Sequence, residues 1–230
     1  MKGERVRRAK VGVFGIGLEA YWEQFDGLRE RLEGYQRGVE ERIGRWATVV
    51  SCGLVDTAQK AYAAGEQFAE ERVDLIFCHA ATYATSSQVL PAVQRVGVPV
   101  VVLNLEPTSS LDYENTDTGE WLANCSACCV PEISNAFERA AIPFNVVSGI
   151  LHDNESAWTE IEEWCHAATA VGTLRGSRFG FLGHTYPGML DMYSDFTMHQ
   201  AQLERVMNFS SGTVASGHGY SKTIPKRRFR

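Results

Sequence analysis

The stretch that decides the fold is residues 98–132, VPVVVLNLEPTSSLDYENTDTGEWLANCSACCVPE. It opens on an apolar run at 100–103 that is rich in β-branched residues and too short for a helix, which is typical of a strand buried on both faces. The run breaks at Glu106-Pro107, and about fifteen polar residues follow before a helical pattern resumes near Leu122. Open parallel sheets bind ligands at loops that leave the carboxyl ends of their strands. We therefore expect a binding surface in this loop.

Outward from this strand, apolar runs alternate with amphipathic segments along most of the chain. The predicted strands are residues 11–14, 48–50, 74–78, 100–103 and 144–147. The predicted helices follow Gly15-Ile-Gly17, span 58–71, begin at the capping box Thr85-Ser-Ser-Gln88, span 122–140 with an interruption at Pro131, and follow a cap at Asp153. Such alternation predicts a parallel sheet covered on both faces. We expect an α/β, Rossmann/flavodoxin-like doubly wound sheet in residues 1–172, with strand order 2-1-3-4-5.

The remainder of the chain predicts an incomplete second α/β domain at 173–207. It would begin with a linker at 172–176, a strand at 178–182 and a helix at 189–202. Residues 208–230, NFSSGTVASGHGYSKTIPKRRFR, have little apolar content, no period and a basic end. Such a segment cannot bury enough apolar surface to fold, so we expect a disordered or aberrant tail there.

Composition narrows the class of protein. With 230 residues, 44% of them hydrophobic, the chain can bury a full core. Its net charge of −6 disfavours a nucleic-acid partner. The sequence has no apolar stretch of membrane-spanning length and no signal-peptide pattern at its start, so we expect a cytoplasmic protein without a membrane partner. The six cysteines would then be reduced thiols.

Gly15-Ile-Gly17-Leu-Glu-Ala20 matches the G-x-G-x-x-G/A pattern of dinucleotide-binding proteins, between a predicted strand and a predicted helix. A NAD site also needs an acidic residue at the end of the second strand, and residues 50–53 offer none. The bulky Tyr21 and Trp22 would crowd a pyrophosphate. We favour glycines that permit a tight turn over a nucleotide site.

The carboxylates of Asp112-Tyr-Glu-Asn-Thr-Asp117 alternate as calcium ligands do, but the run lacks the glycine and glutamate that an EF-hand loop requires. Helix capping and hydrogen bonding within the loop compete evenly with a ligand role. Cys125-Ser-Ala-Cys128-Cys129 would be half of a zinc or redox site without a second pair, so small buried thiols are the favoured interpretation. His79 and His184 each follow a predicted strand, where a catalytic histidine and a structural one are both common.

Several stretches together carry a resemblance to a known family. They are VFGIGLEAYWEQF at 13–25, IFCHAATYATSSQVLP at 76–91, VVVLNLEPTSSLDYENTDTGEWLANCS at 100–126 and RFGFLGHTYPGMLDMYSDF at 178–196. From about Lys10 to Met198 the chain resembles the amino-terminal region of the L-fucose/L-arabinose isomerases, which are aldose–ketose isomerases of carbohydrate metabolism.

The resemblance implies a three-domain enzyme that assembles as trimers or hexamers and binds a divalent metal, usually Mn²⁺. In that family the metal ligands and the acid–base carboxylates lie on later parts of the chain, so it implies no catalytic residue and no metal ligand here. The first domain helps to wall the aldose site of a neighbouring subunit. The substrate-binding positions that the resemblance implies are Glu19, Tyr21, Trp22, Thr82, Tyr83, Glu106, Asn124, His184, Tyr186 and Met189.

The chain departs from the family in length, since a family enzyme is about twice as long and the likeness ends after Met198. Two functions of different class remain open. The chain is either the amino-terminal piece of a sugar isomerase, inactive alone, or a stand-alone module that binds a sugar, a nucleotide or a partner. Specific sugar binding by this chain alone would favour the second.

Overall fold

The structure, a computed structural model, describes residues 7–152, 155–177, 179–182, 195–203 and 207–210. Its main sheet has five strands: β1 (Lys10–Ile16), β2 (Thr48–Val55), β3 (Leu75–His79), β4 (Val100–Glu106) and β5 (Phe144–Ile150). All neighbouring pairs are parallel, and the order is β2-β1-β3-β4-β5. The Rossmann/flavodoxin-like fold and the strand order predicted from the sequence are confirmed.

The connecting helices are α1 (Leu28–Ile43), α2 (Ala58–Glu71), α3 (Leu90–Val93), α4 (Thr118–Ala123), α5 (Val130–Arg139) and α6 (Glu155–Gly176). Helix α2 has the predicted bounds because Thr57 caps it, accepting a hydrogen bond from the Lys60 amide at 3.2 Å. The capping box at Thr85 is present, but it opens a 3₁₀ turn before α3 rather than one continuous helix. The predicted cap at Asp153 lies outside the described residues.

Two apolar layers hold the sheet. Helices α2, α3 and α5 cover one face, where Phe68 and Phe137 lie fully buried against Ile76 and Val102. Helices α1 and α6 cover the other, where Trp158 and Ile161 pack against the same strands. Strands that are buried on both faces explain the unbroken apolar runs of the sequence.

Three sequence predictions about this region are wrong. The helix expected directly after Gly17 begins only at Leu28, after a 3₁₀ turn at Glu19–Tyr21. The helix expected at 122–140 with an interruption at Pro131 is two separate helices, and the break lies at 124–129, before Pro131, which occupies the first turn of α5. The strands β2, β4 and β5 run three to five residues past their predicted carboxyl ends, to Val55, Glu106 and Ile150.

The chain divides between Thr173 and Leu174 into two compact units. The linker expected at 172–176 is instead the last part of α6. In the second unit β6 (Phe179–Leu182) and β7 (Met207–Ser210) pair in parallel, and α7 (Phe196–Leu203) lies between them in the chain. The expectation of a disordered or aberrant tail is therefore wrong for 208–210, which belong to β7, and 211–230 lie outside the described residues. No helix in the described part of the chain combines the length and apolarity needed to cross a membrane.

Candidate functional site

The two glycines of the nucleotide-like pattern make room for the protein's own side chains. A Cβ on Gly15 would lie 2.5 Å from Oε1 of Gln36, and one on Gly17 would lie 3.0 Å from the Trp22 ring. No helix begins at this turn, since α1 starts at Leu28. A pyrophosphate site needs free backbone amides at a helix N-terminus next to such glycines, so the pattern here is a packing feature.

The acidic residue that sequence analysis found missing from the end of the second strand is present, because β2 extends to Val55 and Asp56 follows it. Asp56 is only 2% exposed and is already occupied. The Trp22 indole donates to its Oδ2 at 2.9 Å, and Nζ of Lys60 lies 2.7 Å from Oδ1 and 2.8 Å from Oδ2. A ribose would have to displace both Trp22 and Lys60 from this carboxylate. Asp56 therefore holds the Trp22 ring in place and does not bind a nucleotide.

The crevice at the carboxyl ends of β1 and β3, where the strand order reverses and doubly wound sheets bind ligands, is filled from within. Tyr21, Trp22 and Tyr83 pack there against Leu122 of α4. Burial, and then the nearby Tyr83, raise the pKa of the Tyr21 phenol. Thr82 is buried and donates its hydroxyl to the Leu122 carbonyl at 2.7 Å. Tyr21, Trp22, Thr82 and Tyr83, four of the predicted site residues, therefore lie together. They pack beneath α4 and do not line an open site.

The open cleft lies beside this cluster, between the start of α1 and the loop that follows β4. It has a volume of about 960 Å³. Its walls are mostly polar, formed by Gln24, Phe25, Asp26, Gly27, Leu28, Arg31, Tyr35, Pro107, Thr108, Ser110, Leu111, Asp112, Asn115, Thr116, Asp117, Gly119, Glu120, Ala123 and Asn124. The long loop nominated by the sequence therefore forms one wall.

A hydrogen-bond network joins the two walls of the cleft. Arg31 of α1 donates through both terminal nitrogens to the Glu120 carboxylate of α4, at 2.5 and 3.0 Å. Its Nε donates to the Tyr35 hydroxyl at 2.6 Å, and Asn124 donates its amide to Glu120 at 2.9 Å. The Arg31 bond lowers the pKa of Glu120, and the same bond raises that of Arg31, so both are charged at neutral pH.

The loop wall is ordered by its own carboxylates. Asp112 accepts hydrogen bonds from the Glu114 amide at 3.2 Å and from the Asn115 side chain at 2.7 Å. Both bonds lower the pKa of Asp112, and the bond from Asn115 has the larger effect. Asp117 caps α4 by accepting from the Glu120 amide at 2.7 Å. The capping and loop-bonding interpretation is thus confirmed. Among the described residues, no group of three or more His, Cys, Asp or Glu side chains is placed to hold a metal ion.

Charge and exposure give the cleft its chemical character. Asp26, Asp112, Asp117 and Glu120 face a single lining guanidinium, that of Arg31, which is already paired. An anionic ligand is disfavoured in such surroundings, whereas a neutral polyol finds acceptors and donors on both walls. On the same loop and helix the aromatic rings of Tyr113 and Trp121 are exposed by 86% and 41%.

The other predicted site residues are dispersed. Glu19 is exposed in the 3₁₀ turn. Glu106 ends β4 and accepts from the Ala127 amide at 2.9 Å. Asn124 lines the cleft. His184, Tyr186 and Met189 lie outside the described residues.

His79 is a structural histidine by its surroundings. It is the last residue of β3, 1% exposed, and its Nδ1 lies 3.0 Å from Oε1 of Gln36. Gln36 donates its own amide to Glu40 at 2.7 Å, so its oxygen is the acceptor and Nδ1 of His79 must carry the proton. Burial lowers the pKa of His79 to about 4, so the ring is neutral at physiological pH.

The expectation that all six cysteines are reduced is wrong for two of them. Cys125 and Cys128 form a disulfide in the segment between α4 and α5. Cys52, Cys78, Cys129 and Cys165 are free thiols. The C-x-x-C spacing alone did not distinguish a disulfide from packed thiols or half of a metal site.

Comparison with protein-family models and with curated proteins finds no match for this chain.

Proposed function

We propose that this chain is the amino-terminal part of an aldose–ketose isomerase of the L-fucose/L-arabinose type, and that its cleft supplies one wall of an aldose site. The observation that supports it is the cleft beside the carboxyl ends of β1 and β4, with charged hydrogen-bonding groups on both walls. Sugar hydroxyls both donate and accept hydrogen bonds, and Glu120, Asn124 and Tyr35 offer the complementary atoms.

In this proposal the metal and the proton-shuttling carboxylates come from other domains. A divalent ion such as Mn²⁺ would supply the polarisation of the sugar oxygens. The described residues here include no donor set that fits it. What they do is bind and orient the sugar, with Arg31 holding Glu120 ionised as a hydrogen-bond acceptor. A homo-oligomer follows if the site is completed by a neighbouring subunit.

A specific observation favours a second candidate, a stand-alone module that binds a small polyol. Every residue that lines the cleft lies between Gln24 and Asn124, within one compact unit of one chain. A complete site of this kind would bind a sugar without any partner. The affinity of the chain for aldoses separates the two functions, because a site that a neighbouring subunit must complete binds far more weakly in the isolated chain than a site formed within it.

The first prediction concerns binding. Calorimetric titration of the chain with L-arabinose, L-fucose and the corresponding ketoses should show binding, and titration with AMP and NAD should show none. Arg31→Met should weaken the binding about tenfold, because a hydrogen bond to a charged group contributes about 1.5 kcal/mol or more. Arg29→Met is the matched control, since Arg29 lies on the same helix in a similar ion pair, with Glu33 at 2.9 Å, but outside the cleft. Equal losses in both variants would contradict the cleft as the sugar site.

The second prediction concerns turnover. The purified chain with Mn²⁺ should form no ketose from any aldose above a protein-free control. Isomerisation needs a metal in fixed geometry and a carboxylate within reach of C1 or C2, and the rim carboxylates Glu19, Glu106 and Asp112 are not grouped for it. Ketose should appear when a second chain carrying the metal-binding domains of an L-arabinose isomerase is added. Turnover by this chain alone, abolished by a chelator, would overturn the proposal.

A further inference from the structure

The segment between α4 and α5 is closed by a covalent bridge whose two sulfurs differ in access. Cys125 and Cys128 are paired across three positions of the chain, with their Cα atoms 6.2 Å apart. Cys125 is 7% exposed, whereas Cys128 is exposed. A thiol in solution can therefore approach the bridge from the side of Cys128, whereas the side of Cys125 is covered.

The bridged loop is attached to the sheet at several points. Ser126 donates its hydroxyl to Oδ1 of Asn104 at 3.0 Å, and the Ala127 amide donates to Glu106 at 2.9 Å. On its amino-terminal side it continues directly into Asn124, which lines the cleft and bonds Glu120. The loop is thus one anchor of the carboxyl end of α4, beside the Thr82 bond to the Leu122 carbonyl and the Arg31 pair with Glu120.

The remaining thiols are poor competitors for an exchange reaction. Burial raises the pKa of Cys52 and of Cys165 to about 12 and that of Cys129 to about 11, and it also raises that of Cys78. Because the thiolate is the reactive species, these four groups are almost entirely protonated at neutral pH. Exchange chemistry is directed to the one bridge that solvent reaches.

We propose that Cys125–Cys128 is a thiol–disulfide exchange site for dithiols, and that its redox state sets how firmly the α4 wall of the cleft is held. In the oxidised chain the bridge closes the loop through which the end of α4 is attached to Asn104 and Glu106 of β4. In the reduced chain the hydrogen bonds of Ser126 and Ala127 remain, as do those of Thr82 and Arg31 to α4, but the loop loses its covalent closure and Asn124, which continues from it, gains freedom to move. The ligand of this site is the thiolate of a small-molecule or protein dithiol.

The exchange balances as two successive displacements. A reductant thiolate attacks Sγ of Cys128, the Cys125–Cys128 bond breaks, and Cys125 leaves as a thiolate that takes up a proton. The second thiol of the reductant, as its thiolate, then attacks its own sulfur in the mixed disulfide and releases the Cys128 thiolate, which is protonated in turn. The chain gains two electrons and two protons, and the dithiol becomes a disulfide.

The test uses the full chain in buffers of reduced and oxidised dithiothreitol, with alkylation, mass spectrometry and amide hydrogen exchange. We expect two thiols to appear per chain on reduction, at 125 and 128, and to disappear again on oxidation. Amide exchange in residues 118–124 should become roughly tenfold faster on reduction, the order expected for releasing a short covalent loop. The Cys125→Ser/Cys128→Ser variant should show the fast exchange in every buffer, and Cys52→Ser should behave as the wild type.

Two results would overturn the inference. One is that Cys125 and Cys128 are alkylated in every buffer, which would mean that no bridge forms. The other is that the bridge opens while exchange in 118–124 stays unchanged, which would remove its connection with the cleft. Both the alkylation and the amide exchange are measured on the wild-type chain, so a variant that failed to fold would not affect either result.

Discussion

Replacing Gly65 by valine is expected to lower the free energy of unfolding by about 3 kcal/mol, the upper end for overpacked sites. Gly65 lies on the buried face of α2, where a Cβ would be 2.6 Å from the Pro91 carbonyl oxygen and 3.4 Å from Cα of Ala92. These are backbone atoms of the segment that forms α3, which cannot rotate away as a side chain can. The valine must therefore push α2 and α3 apart in the core.

Gly38→Val is the matched control, because Gly38 also lies inside a helix but a Cβ there meets nothing within 4 Å. We expect that variant to change the stability by less than about 0.5 kcal/mol, since valine is a better helix former than glycine. Urea unfolding followed by circular dichroism measures both, and the m-value checks that the unfolded states are comparable. A loss at Gly38 as large as at Gly65 would show that backbone flexibility, not the contact with α3, decides the result.

The sequence predicted the sheet well where burial dictates residue type. Strands β3 and β4 are buried on both faces, so their apolar runs are unbroken, and α2 shows one buried face from Ala61 to Phe68. Those patterns are sufficient to predict the strand order, because the four crossovers between five parallel strands allow few arrangements.

Prediction failed at the carboxyl ends of the strands, which is where the site lies. There the ladder hydrogen bonds continue although the side chains turn polar or half-exposed, as in residues 51–55 of β2. Gly53, with φ of 61°, lies at a bulge where β2 carries one residue more than β1. A glycine after Ser51 and Cys52 resembles the end of a strand, but β2 continues through the bulge to Val55, and Asp56 follows it.

Only one wall of the cleft was predicted from the sequence. The loop after β4 was identified by its length and polar composition. The opposite wall is α1, and its Arg31 resembled any solvent-facing arginine of an amphipathic helix. The i,i+4 spacing of Arg31 and Tyr35 was the available signal, and it became meaningful only with Glu120 placed beside them by the fold. Partners 89 positions apart in the sequence are not visible to local pattern analysis.

The buried histidine gives the last prediction, a loss of stability in mild acid. The pKa of His79 falls from its ordinary 6.5 to about 4 in the folded chain because the ring is desolvated. Between pH 6.5 and about 4, the unfolded chain therefore binds a proton at His79 that the folded chain does not bind. The free energy of unfolding is fully present above pH 6.5 and decreases as the pH falls toward 4. The difference amounts to about 2 kcal/mol at pH 5 and about 3 kcal/mol at pH 4.

His79→Gln isolates this effect from the carboxylates that titrate in the same range. The variant should be less stable than the wild type at pH 8, because the bond to Gln36 is disturbed in the core. Its deficit should shrink by about 2 kcal/mol between pH 8 and pH 5, since it has no imidazole to protonate on unfolding. His166→Gln is the control, because the His166 side chain is 65% exposed on α6 and stays in water in both states. Urea unfolding of the three proteins at each pH measures the differences, and parallel curves for wild type and His79→Gln would show that His79 binds its proton as readily in the core as in water.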